Sequence, residues 1–100
     1  MESWSQSDVF PIIFRLIVEA STRQSEFAPS PEIVKLMLSD PEGREAVDSA
    51  CKGGRDKTPE WIAQNMVAWF GQRITMRTSD WADRVDRVKI HGRWAYKPRG

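Results

Sequence analysis

Cysteine is nearly absent from this chain of 100 residues: Cys51 stands alone. One thiol excludes an intramolecular disulfide and any multi-cysteine metal site within one chain. It permits a reducing compartment. Histidine is equally scarce, with His91 only, so no histidine cluster is available for a metal or for proton shuttling. Long apolar runs are missing too. The longest apolar region, 9–18, is interrupted by Pro11 and Arg15, and a membrane-spanning helix needs roughly 20 apolar residues. No membrane partner is expected. The first residues, M-E-S-W-S-Q-S-D, are acidic, unlike a secretory leader, and the chain reads as cytoplasmic. Gly53-Gly54 lacks the frame of a phosphate-binding loop. No spacing points to a nucleophile with its base. The expectation is therefore a protein that is not an enzyme and holds no cofactor and no metal.

What is present is an ordinary globular composition, 40% apolar and 29% charged. It reads as one domain over 1–100, long enough to bury about two thirds of its unfolded surface. The net charge of +1 conceals a division. Residues 1–50 carry nine acids against four bases, and residues 51–100 carry five acids against eleven bases. Such asymmetry suggests a partner drawn electrostatically to the C-terminal side.

The first apolar stripe is Val9, Phe10, Ile13, Phe14, Ile17 and Ala20, at helical spacing and widened by Ile12, Leu16 and Val18. Ser7 is the expected N-cap, Asp8 suits the helix dipole, and Pro11 is placed in the first turn. Arg15 and Glu19 fall on the wet side, and the helix is expected to end near Ser21. Three further starts share one device: Ser30-Pro31-Glu32, Asp40-Pro41-Glu42 and Thr58-Pro59-Glu60. In each a side-chain oxygen caps a free N–H, proline replaces an N–H that has no partner, and an acid meets the dipole. They predict helices over 31–38, 41–52 and 59–74. Gly43 weakens the second of these, and Gly53-Gly54 is its expected C-cap. On the last helix Ile62, Ala63, Met66, Val67, Trp69, Phe70 and Ile74 project to one side. Trp61, Gln64, Asn65, Ala68, Gly71 and Gln72 project to the other. Trp81 reads as a lid on the core.

Period-2 alternation then appears about His91-Gly92, with Val88 and Ile90 before it and Trp94 and Tyr96 after it. A two-residue turn pairs Ile90 with Arg93 and Lys89 with Trp94, which mixes apolar and basic groups on each face. A three-residue turn, 91–93, pairs Ile90 with Trp94 and Val88 with Tyr96. The second register is preferred because it leaves Arg87, Lys89, Ala95 and Lys97 together on an outer face, although His-Gly is also a credible tight turn.

The fold class is thus α+β, mostly α, with four helices followed by a C-terminal β-hairpin. This layout, with the G-R-W-A-Y at its end, resembles the winged helix-turn-helix superfamily over about 5–98. It is similar in particular to winged modules at the N-termini of bacterial restriction-type and regulatory proteins. The resemblance implies that the helix over 59–74 lies in the recognition position and that the hairpin, about 85–97, is the wing. It implies double-stranded DNA as partner and a role in transcription regulation or targeting. By position, Gln64, Asn65, Ala68 and Gln72 face base edges, where amides pair with adenine and a methyl meets thymine. Phosphate contacts fall to Lys52, Arg55, Lys57, Arg73 and Arg77 at the helix flanks, and to Arg87, Lys89, Arg93, Lys97 and Arg99 on the wing. Two departures stand out: the segment 40–56 exceeds a tight helix-turn-helix turn, and the recognition-position helix carries no base before Arg73. The alternative is a winged-helix protein-interaction module that uses the Trp61/Gln64/Asn65/Ala68/Gln72 face for a protein partner.

Overall fold

Two of the three cap–Pro–Glu motifs do what their chemistry dictates. The Asp40 carboxylate accepts the Gly43 N–H at 3.0 Å, and the Thr58 hydroxyl accepts the Trp61 N–H at 3.1 Å. Ser30 does not cap. Its helix is entered through Pro29, at φ −65° and ψ 147°, with no side-chain cap. The reason is the extended pair Ala28–Pro29, which hydrogen-bonds into a sheet and delivers the chain directly into the helix.

The computed structural model of the chain describes residues 5–24, 27–51, 58–76 and 83–99. Its elements run α1 (Gln6–Gln24), β1 (Ala28–Pro29), α2 (Ser30–Ser39), α3 (Pro41–Cys51), α4 (Pro59–Met76), β2 (Val85–Ile90) and β3 (Arg93–Pro98). The fold is α+β and mostly α, with a C-terminal antiparallel hairpin. The sheet has order β1-β3-β2, so β1 extends the hairpin to three strands. No helix among the described residues is long and apolar enough to cross a membrane. The expected Gly53-Gly54 cap and the Trp81 lid lie outside the described residues.

Helix α1 begins earlier and ends later than its sequence suggests. The N–H groups of Asp8 and Val9 both reach the Ser5 carbonyl, at 3.1 and 3.0 Å. Ser5, not Ser7, therefore precedes the helix, and Pro11 falls in the second turn, where it withholds the N–H that Ser7's carbonyl would accept. Val9, Phe10, Ile13, Leu16, Ile17 and Ala20 are buried as the periodicity predicts. Phe14 and Trp69, expected in the core, lie at its rim. At the centre Phe10 meets Phe70 edge-on, with centroids 5.0 Å apart, and Phe70 meets Tyr96 at 6.3 Å. These three rings join α1, α4 and β3.

Arg15 is not simply on the wet side. One Nη donates to Glu19 at 3.0 Å, and the other lies 2.6 Å from Asp40 and 3.4 Å from Glu42. It ties α1 to the corner between α2 and α3. The Arg15 hydrogen bond, joined by the Gly43 N–H, holds the Asp40 carboxyl below the usual carboxylate range. Gly43, which propensity alone marks as a weakness, is required here: a Cβ at that position would stand 2.5 Å from the Met37 carbonyl oxygen.

Candidate nucleic-acid interface

The hairpin turn decides which side chains share a face. His91 has φ 52° and Gly92 has φ 80°, the pair of left-handed residues that a two-residue type I′ turn requires. The register is Ile90↔Arg93, Lys89↔Trp94, Val88↔Ala95 and Arg87↔Tyr96. The three-residue turn, with Ile90 against Trp94 and Val88 against Tyr96, is thereby corrected. Arg87 and Lys89 do not share an outer face with Ala95 and Lys97. They stand on the face of Trp94 and Tyr96.

A face that mixes bases with aromatics is stable because the cations lie on the rings. The Arg87 guanidinium sits 3.7 Å from the Trp94 centroid and 5.8 Å from that of Tyr96, and Lys89 Nζ lies 5.5 Å from the same indole. Arg87 Nη1 also donates to the Gly71 carbonyl at 2.9 Å and to the Thr75 hydroxyl at 2.6 Å. One side chain thus clamps β2 to the last two turns of α4. Gly71, expected on the outward side of its helix, is buried against this clamp. A Cβ there would collide with the Tyr96 hydroxyl and with the guanidinium.

On α4, Gln64, Ala68 and Gln72 are exposed along one ridge, with Asn65 half-buried at its margin. Trp61 stands at its N-terminal end, 45% exposed. Arg73 is half-buried with its guanidinium 5.3 Å from the Trp69 ring, away from the ridge. Lys52, Arg55, Lys57 and Arg77 lie outside the described residues. On the hairpin, Lys89, Arg93 and Lys97 are exposed beside an exposed His91. Lys97 Nζ lies 5.8 Å from the Phe27 ring. Arg99 donates to Asp86 through Nε and Nη2, at 2.9 and 2.8 Å, so that cation is already paired. No carboxylate occurs from Arg87 to Arg99. The exposed acids Glu42, Glu45 and Asp48 belong to α3.

No protein-family model, curated protein or solved structure matches this chain. Its chemistry must therefore be argued from its own residues. Among those described, no group of three His, Cys, Asp or Glu side chains is placed to hold a metal. Cys51 is a free, half-buried thiol. What the elements bring together is an uncharged ridge on α4 and a cationic hairpin, held at a fixed spacing by Arg87. The sequence contained one unread signal for that clamp. Gly71 interrupts a helix whose other outward positions are amides, tryptophan and alanine.

Proposed function

We propose that the domain binds double-stranded DNA as a winged-helix module with a regulatory or targeting role in the cytoplasm. The observation that carries this reading is the slim neutral ridge Gln64–Ala68–Gln72 beside a hairpin whose exposed charges, Lys89, Arg93 and Lys97, are all positive. Helix α4 enters the major groove and offers amides to adenine and a methyl to thymine. Asn65 contributes from the margin of the ridge. The hairpin, acting as the wing, lies on the backbone and supplies most of the affinity, since phosphate contacts position a protein without reading sequence. Arg87 serves the interface indirectly, by fixing the hairpin relative to α4.

Titration of a random duplex tests this. Three phosphate contacts give a salt slope of about −2.7, or about a 40-fold loss of affinity between about 50 and about 200 mM salt. Absence of binding at the lower salt overturns the reading. A protein-interaction module is the second reading, favoured by the exposure of Trp61. On that reading Trp61→Ala leaves the melting temperature unchanged and abolishes capture of a protein partner by a domain that does not bind DNA.

A further inference from the structure

A groove of about 340 Å³ opens between the start of α2, the middle of α4 and the hairpin. Its walls are apolar: Pro31, Val34, Ala68 and Trp94. Gln64 and Arg87 are the principal polar groups on it, and no carboxylate lines it. The first turn of α2 faces the same space through Ser30 and Pro31, and that helix has no side-chain cap.

The state of Arg87 is what gives the groove a chemistry. Its Nη1 is used by Gly71 and Thr75. Its Nε is buried and has no hydrogen-bond partner. Among the described residues no carboxylate lies within ion-pair distance of it. Its Cζ lies over the Trp94 ring, 3.7 Å from the centroid, and with the bonds from Nη1 this holds the guanidinium in place. With Nη1 used and Nε enclosed beside Gly71, Nη2 is the donor left for an incoming group. A half-buried guanidinium with no acid beside it among the described residues has a carboxylate oxygen as its complement, through a charge-assisted N–H···O bond. The volume falls at the small end of the range for organic ligands, and apolar walls with a few placed polar groups are the usual composition of such sites.

The geometry points to this groove as a binding site for a small aromatic carboxylate, with the carboxylate on Arg87 and the ring against Val34, Ala68 and Trp94. The site requires no nucleic acid, so its test is separate from that of DNA binding.

Two probes of one shape separate charge from apolar burial: 1-naphthoate and the neutral 1-naphthylmethanol. Each is titrated into the isotopically labelled chain while backbone amides and the Trp94 indole N–H are followed by NMR. The expected result is that naphthoate shifts Gln64, Ala68 and Trp94 and binds about tenfold more tightly than the alcohol, the scale of one charge-assisted hydrogen bond. Arg87→Gln removes that preference. Because Arg87 also clamps the hairpin, a second variant decides the matter if the first does not fold. Ala68→Phe fills the groove from an exposed helix position, leaves Arg87 in place and eliminates the naphthoate shifts. Equal affinities for acid and alcohol, shifts confined to other surfaces, no shifts at millimolar probe, or undiminished binding by Ala68→Phe would each overturn the assignment.

Discussion

The residues that matter most to this architecture are small ones in tight places and charges in corners. Gly71 is the clearest. An added methyl meets the Tyr96 hydroxyl and the Arg87 guanidinium, so it fits only if the buried Tyr96 ring shifts against Phe70 or the Arg87 bonds to Gly71 and Thr75 give way. Although alanine favours helix more than glycine by about 1 kcal/mol, Gly71→Ala is expected to destabilise the domain by about 1–3 kcal/mol through overpacking. A lowered urea midpoint at unchanged slope is the signature. Asp40 makes the complementary electrostatic case. Its folded carboxyl is held below its usual range by Arg15 and Gly43, so its contribution is fully present above the unfolded carboxylate range and is lost as pH falls through the lower folded value. Asp40→Asn keeps a capping oxygen but gives up the ion pair with Arg15, and is therefore expected to cost about 0.2–1 kcal/mol near neutrality. The difference between the two proteins shrinks when melting is repeated at progressively more acid pH. A gap independent of pH would remove the charge from the explanation.

At the scale of elements, legibility followed the range of the interaction. The caps of α3 and α4 were readable because the determining atoms, Asp40 with Gly43 and Thr58 with Trp61, lie three residues apart. The start of α2 was not, because Pro29 is held by pairing with Ala95 on a strand some sixty residues away. Two-residue β1 carries no periodicity to read. The hairpin register was misjudged for a different reason. Segregating apolar from basic side chains is a sound rule for aliphatic faces, but it undervalues the energy of a guanidinium on an indole, about 0.5–2 kcal/mol when partly desolvated. The backbone offers a direct check. A type I′ turn favours asparagine at its first central position and glycine at its second. His91→Asn is expected to raise the melting temperature, and Gly92→Ala, with open space around its Cβ but φ 80°, to lower stability by about 1 kcal/mol. Equal melting temperatures for the two variants would contradict the two-residue turn.

For the molecule as a whole, charge is divided between a cationic hairpin and an α3 that carries Glu42, Glu45 and Asp48 against Arg44. The sequence showed this division as a difference between halves, and it showed the amide ridge of α4 through helical projection. It did not show that Arg87 belongs to the scaffold, because that depends on the one-residue choice of register. The consequence for DNA binding is quantitative. If Lys89, Arg93 and Lys97 are the phosphate contacts, Lys89→Gln and Arg93→Gln each flatten the salt slope by about 0.9, and they weaken all duplex sequences alike. Gln64→Ala and Gln72→Ala act on the other term: the slope stays unchanged, and any preference among duplexes narrows by about 1–3 kcal/mol per lost bidentate contact. Arg87→Lys separates clamp from contact. Lysine keeps the charge but not the guanidinium over Trp94 or the paired bonds to Gly71 and Thr75. Melting should therefore fall while the salt slope, measured below the melting transition, holds at its wild-type value. A slope that drops by a full contact with unchanged melting would move Arg87 out of the scaffold and onto the DNA backbone.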